Sequence, residues 1–341
     1  MKPTTKDLQM TSPLQRRQFV RTVGAIGASI ALPSLAQAPA ARYPNRPITL
    51  VVPFPPGGAV DNAGRAIAER LGKVLGQSVV IDNKGGAGGA LGSTFVARAA
   101  PDGYTLVVTS QTTHVVNPAV STNLPYDAVN DFAPITLIER LANVVLINPS
   151  LPVKNFGEFV QYVKANPGKL NYASSGNGSV AHLSMELLKS KLGLFITHIP
   201  YRGAGQALND LLAGQVHVTW NNLTSNLTMI QSGKLRALAV ASPNRAPQLR
   251  DVPTFAELKL PDLNLTSWTG LAAPAKTPEP IIAQLYEAMR TVLQDPQTAE
   301  AWTQRGAILP EKITPAEYRA EILNRIQFYK NLAKANKIDL S

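Results

Sequence analysis

One unit recurs along this chain and constrains its fold. An uninterrupted apolar run ends in Gly, Pro or Ser, and the next segment carries apolar residues every three or four positions. The first copy is ITLVVPF at 48–54, followed by Val60, Ala63, Ile67, Leu71 and Val74. An apolar run without polar alternation reads as a strand buried on both faces, and the spacing after it as an amphipathic helix. By the same signals, strands are expected at 78–82, 104–110, 135–139 and 143–148, and a second set at 170–174, 195–201, 216–220 and 235–242. A last strand is expected at 266–274, with helices at about 90 onward, 155–165, 179–192, 204–213, 224–232, 278–294, 296–305 and 315–336. Such alternation predicts an α/β fold of mostly parallel sheets with helices on both faces. At 341 residues the chain is long enough for two domains.

Composition removes several chemistries. There is no cysteine, hence no disulfide framework, thiolate nucleophile, iron–sulfur cluster or cysteine zinc site. The histidines are His114, His182, His198 and His217, and no two share the i,i+4 spacing that places two imidazoles on one helix face. No metal or cofactor is expected. A hydrolase elbow is missing too, because Ser179 has Asn177 and Ala181 where G-x-S-x-G needs glycines.

Residues 1–38 read as an export leader. Arg16, Arg17 and Arg21 precede an apolar run from Val23 to Leu32, and small residues follow up to Ala36-Gln37-Ala38. The Arg16-Arg17 pair resembles a twin-arginine signal, although Gln15 stands where such signals favour Ser or Thr. The leader carries Lys2, Lys6, Arg16, Arg17 and Arg21 against Asp7, so its removal lowers the formal charge by four, from +11 to +7. That excess suits an anionic ligand. No basic run interleaved with aromatics points to nucleic acid.

Two Gly-rich turns carry most of the functional signal. The first, Pro53-Phe54-Pro55-Pro56-Gly57-Gly58-Ala59-Val60-Asp61, joins a strand to a helix N-terminus. The second, Ser174-Ser175-Gly176-Asn177-Gly178-Ser179, repeats the device in the second set of strands. Free N–H groups and the dipole at a helix N-terminus attract anions, and serine hydroxyls add donors. A matched pair of such turns suits a small acid with two carboxylates.

The segments YPNRPITLVVPFPPGGAVD, NKGGAGGALG, ARAAPDGYTL, LNYASSGNGSVAHL, IPYRGAGQALNDLLAGQV and GKLRALAVAS, in this order, resemble the Bug family of periplasmic solute receptors linked to tripartite tricarboxylate transporters. The resemblance runs from about Tyr43 to the C-terminus. It implies a two-lobed periplasmic-binding-protein fold (type II-like) with the ligand cleft between lobes. One domain would comprise 43–142 plus 243–341 and the other 143–242, with hinge crossings near Leu141–Val144 and Ser242–Asp262. It further implies a monomeric, non-catalytic periplasmic protein that closes on a small carboxylate, whether a di- or tricarboxylate or an aromatic or amino acid, and passes it to integral-membrane transporter subunits.

Site residues expected from the two turns are Pro56, Gly57, Gly58, Ala59 and Asp61 on one side, and Ser174, Ser175, Asn177, Gly178 and Ser179 on the other. The resemblance adds Gly88 and Gly89 from the Gly86–Gly89 loop, Ser110 at a strand end, Tyr201 and Asn221. In relatives the Trp220-Asn221-Asn222 block often reads Phe-Asp-Asn, so Asn221 replaces a common acid. Trp268 is expected in the core, and His182 with Glu186 as a surface pair four residues apart on one helix. Two other readings share these residues. Gly176 to Ala181 fits G-x-G-x-x-A, with Arg202 positioned for a 2′-phosphate, as in an NADP oxidoreductase. A receptor that signals rather than transports would have the same sequence features.

Overall fold

The computed structural model describes residues 43–121 and 123–338; the expected leader lies outside them. The chain runs through β1 (Ile48–Val52), α1 (Ala59–Leu75), β2 (Val79–Asn83), α2 (Ala90–Ala97) and β3 (Thr105–Ser110). A wide helical turn at Thr112–Val116 then leads into the short α3 (Asn117–Val120). β4 (Phe132–Leu141) is followed across a single residue by β5 (Asn143–Ile147). Next come α4 (Phe156–Ala165), β6 (Asn171–Ser174), α5 (Val180–Leu192), β7 (Thr197–Pro200), α6 (Ala204–Leu212), β8 (Val218–Asn222), α7 (Leu223–Gln231) and β9 (Arg236–Ala241). The chain ends with β10 (Ser267–Pro274), α8 (Glu279–Gln294), α9 (Pro296–Gln304), the two-residue β11 (Ala307–Ile308) and α10 (Pro315–Ala335).

These strands form two sheets, in the orders β11-β4-β10-β3-β1-β2 and β7-β6-β8-β5-β9. Both are mixed rather than mostly parallel. β1 pairs in parallel with β2 and β3, but β10 is antiparallel to β3 and β4. In the second sheet β6 is parallel to β7 and β8, whereas β5 is antiparallel to β8 and β9. The physical reason lies in the crossings: β4 runs straight into β5, and β10 re-enters the first sheet from the second. Such through-going strands do not follow the right-handed strand–helix–strand return that makes neighbours parallel.

Burial on both faces accounts for the unbroken apolar runs. In the first sheet Ile48, Leu50 and Val52 pack with Ala63, Ile67 and Leu71 of α1 and with Leu285 and Met289 of α8. Val51 and Val107 on the other face meet Ala90 and Val96 of α2. In the second sheet Val145, Val218 and Trp220 share a cluster with Phe159 of α4 and Leu183 and Leu187 of α5. That cluster continues through Trp268 to Tyr318, Ile322 and Tyr329 of α10, so the C-terminal helix packs into a core common to both lobes. Gly270 makes the α10 contact possible: a Cβ there would lie 2.2 Å from the Tyr318 hydroxyl.

The two sheets are tied at Asn143. Its buried side chain donates to the Leu265 carbonyl (2.5 Å) and to Ser267 Oγ (2.9 Å), and accepts from Asn222 Nδ2 (2.6 Å). One carboxamide therefore joins the outgoing crossing, the returning crossing and the end of β8. The segment after β9 stays with the second sheet, since Val240 donates to the Pro253 carbonyl and Phe255 to the Val240 carbonyl. The return to the first sheet is made only at 264–267.

Replacing Asn143 by Leu keeps the volume but strands these partners, each at a cost of about 1–3 kcal/mol. Urea unfolding of Asn143→Leu is expected to show that loss, and a change under about 0.5 kcal/mol would contradict the role given to Asn143.

Candidate functional site

A cavity lies where the sheets meet, walled by Phe54, Gly58, Ala59 and Val60 from the first Gly-rich turn and by Ser175, Val180 and Ala181 from the second. Ser110, Gln111 and Thr112 close it from the end of β3, and Asn143, Trp220, Asn221, Asn222, Trp268 and Thr269 from the region of the crossings. It encloses about 70 Å³. At roughly 10–15 Å³ for each water-sized body, that space suits a small organic molecule of a few such units.

Among the described residues, no side chain lining this cavity is ionisable. The field comes instead from the backbone. α1 begins behind Gly58, α6 behind Gly203 and α7 behind Asn222, and none of the three has a side-chain cap on its first N–H groups. Their opening turns contribute Ala59, Val60, Ala204 and Asn222 to the wall, and α5 contributes Val180 and Ala181. Each helix N-terminus is equivalent to about half a positive charge and favours an anion; of the four, α5 is capped by Ser179 and the Leu223 N–H of α7 donates to the Ala142 carbonyl (2.9 Å), which leaves α1 and α6 the least satisfied. Glu139 sits behind Thr269 (Oε1 to Oγ1 3.4 Å) and is paired with Arg305. Burial pushes its carboxyl up to about 7 against the pull of Arg305.

Of the residues expected at the site, Gly58, Ala59, Ser110, Ser175 and Asn221 line the cavity. Pro56 and Gly57 lie beside it in the same loop, outside the lining. Asp61 is turned into that loop: its carboxylate accepts from the Gly57 N–H (3.0 Å), Asn83 Nδ2 (2.9 Å) and Arg65 Nε (3.0 Å). Burial raises its pKa, but the bonds from Arg65, Asn83 and Gly57 outweigh that and hold it below the ordinary carboxylate value. Gly88 sits where the lobes touch. Its φ is +60°, and a Cβ on it would be 3.1 Å from the Asn177 carbonyl of the opposite lobe. Gly89 packs as closely on Thr113 and Phe54, and Gly178 on Asn117. Asn177 and Gly178 line a separate groove with Arg98 and Asn117. Gly88 and Gly178 permit close approach of the two lobes.

The remaining expected residues shape the second turn. Ser174 Oγ bonds the N–H and C=O of Gly176 (both 3.1 Å) and His198 Nε2 (2.6 Å). Ser179 caps α5 by accepting from the His182 N–H (3.2 Å). The Tyr201 hydroxyl donates to Asp210 (2.6 Å). His182 corrects the surface-pair expectation. It is buried, accepts from the Gly178 N–H through Nδ1 (3.2 Å) and stacks on His198 with ring centroids 3.9 Å apart. Glu186 instead accepts from Tyr172 (2.6 Å) and Lys189 (2.7 Å). Trp268 is buried as expected and also walls the cavity.

Comparison with known proteins places this architecture. Residues 63–318 match the model of the tripartite tricarboxylate transporter family receptor. The protein BugT of Bordetella pertussis is 36% identical over 318 residues, covering 93% of this chain and 97% of BugT. A solved R. palustris protein with adipate superposes with a TM-score of 0.84 at 35% identity, covering 87% of this chain and 99% of that one. MatC from Rhodopseudomonas palustris, solved with malate, gives 0.82 at 36% identity over 85% of this chain and 99% of its own.

The stacked histidines make the second turn sensitive to acid. Burial pushes both rings down to about 4, and for His198 the charge of a protonated His182 adds to this. An unfolded histidine titrates near 6.5, so on acidification the unfolded state takes up protons first. Stability from this pair is full above about pH 6.5 and is lost as pH falls towards about 4. Thermal unfolding followed from about pH 7 to about pH 5 is expected to show the decline, with a shallower one in His182→Gln and His198→Gln.

Proposed function

Because the chain belongs to the tripartite tricarboxylate transporter receptor family, we propose that it captures a small carboxylate between its lobes in the periplasm and delivers it to membrane subunits of such a transporter. The observation that carries this reading is the cavity ringed by four helix N-termini and free of ionised side chains. An anion enters it without a fixed counter-ion to release. Charge-assisted hydrogen bonds contribute roughly 1.5–3 kcal/mol each, so four of them offset association costs well enough for micromolar affinity.

In this reading the N–H groups of the first turn, at Gly58, Ala59 and Val60, hold one end of the ligand. Ser175 and the start of α5 hold the other, with Ser110 and Asn221 contributing from the walls. The relatives solved with adipate and malate supply the chemical class, acids with two carboxylates. No helix among the described residues is long and apolar enough to cross a membrane. Delivery therefore requires separate membrane partners. Capture and delivery in this reading involve no chemical step. Transport is preferred to signalling because the matched family is named for a transporter.

Ligand-stripped protein is expected to gain thermal stability with one class of C3–C8 acids and none with NADP. At a hundred times the dissociation constant the gain is about 2.7 kcal/mol. Ala204 faces Gly58 across the cleft, where a Cβ on Gly58 would be 3.8 Å from its own. Ala204→Leu is expected to weaken binding at least about tenfold, a loss of about 1.4 kcal/mol, while leaving the fold intact. A shift with NADP alone would sink the receptor reading.

A further inference from the structure

A polar network lies just outside the cavity and reaches it through the backbone. Asp61 stands in the first turn of α1 and is 2% exposed. Its carboxylate accepts from three donors: the Gly57 N–H (3.0 Å), Arg65 Nε (3.0 Å) and Asn83 Nδ2 (2.9 Å). Asn83, at the end of β2, uses the same amide nitrogen to donate to the Phe54 carbonyl (3.0 Å), while its Oδ1 accepts from Arg65 Nη2 (3.0 Å). The three side chains close on one another and hold both ends of the loop 54–57. Phe54, Pro55 and the adjoining Gly58 wall the cavity. The opposite lobe rests on the same loop: a Cβ on Gly203 would lie 2.9 Å from Pro55 Cδ, and one on Gly205 would lie 3.2 Å from the Pro56 carbonyl.

Three donors on two oxygens suit an ionised carboxylate, which only accepts. That places a negative charge in the opening turn of the helix whose N-terminus borders the cavity, where it offsets the half unit of positive charge that draws an anion. Arg65, four residues on along α1, is the only cation bonded to Asp61 among the described residues. We propose that Arg65, although it does not line the cavity, is a positioning residue for the bound acid: its guanidinium neutralises Asp61 and, through Asn83, holds the first turn in place. The inference rests on the reading of this cavity as a carboxylate site. Without the guanidinium, an incoming anion meets an uncompensated like charge on the N–H next to Gly58, and the loop loses one of the bonds that set its position.

The test is calorimetric titration of ligand-stripped protein, parent and variants, with malate and adipate. Arg65→Gln is expected to weaken the tighter-binding acid about tenfold at about 0.01 M salt, where charges act over roughly 30 Å, and by less than about threefold at about 1 M, where they act over roughly 3 Å. Arg65→Lys keeps the charge and should recover affinity to within about threefold of the parent. Lys73→Gln is the control: it removes the same charge from α1, but from an exposed pair with Glu69 (2.7 Å). It should leave affinity unchanged. Melting temperatures establish that each variant is folded during titration. A lowered melting temperature with full affinity in Arg65→Gln would make Arg65 a stability residue and overturn the proposal. So would equal losses in the Gln and Lys variants, or a loss indifferent to salt; in each case the carboxylate site still stands. Failure of the parent protein to bind any C3–C8 acid would overturn both.

Discussion

The two sheets of this protein are joined at a point where the chain crosses twice, and the carboxamide of Asn143 holds both crossings together. It donates to Leu265 and Ser267 on the returning strand and accepts from Asn222 at the end of β8. With one residue between β4 and β5, the first crossing has little freedom of its own. The position of one sheet relative to the other therefore depends on this buried knot. Everything that lines the cavity is placed relative to it, because the cavity opens directly beside Asn143.

From that arrangement follows a cavity whose wall carries no ionised side chain among the described residues. Strands that end at the junction hand over to helices whose N-termini turn inward, so the backbone supplies positive potential where no Lys or Arg side chain is found. An ionised side chain in a desolvated wall would need its own partner, and the helix termini need none. Glycine contributes elsewhere than expected. At Gly88 and Gly178 the missing Cβ lets the lobes touch, and at Gly203, where a Cβ would lie 2.9 Å from Pro55 Cδ, it lets the first turn meet the start of α6.

Much of this was legible from residues alone, and the misses have definite causes. Unbroken apolar runs located nearly every strand, because burial on both faces leaves no polar alternation to blur them. Gly58, Ala59 and Ser175 were legible because strand–turn–helix junctions announce themselves in Gly and Ser. Asp61 and Ser174 carry the same signals, yet they face inward to brace their loops, and side-chain direction within a turn is set by partners such as Asn83 and His198 that are distant in sequence. Sheet polarity was misjudged because apolar runs do not record strand direction. The contributions of α6 and α7 depend on which strands become neighbours, and Gln111 is a single polar residue in TSQTTH with no periodicity to single it out.

The central claim is that a small acid is held between the lobes by backbone donors from both. A crystal structure with the tightest-binding acid tests it directly. The account predicts the ligand in the cavity beside Asn143, with oxygens at the N-termini of α1 and α5. A ligand seated in the Arg98–Asn117 groove, or touching one lobe only, would contradict it.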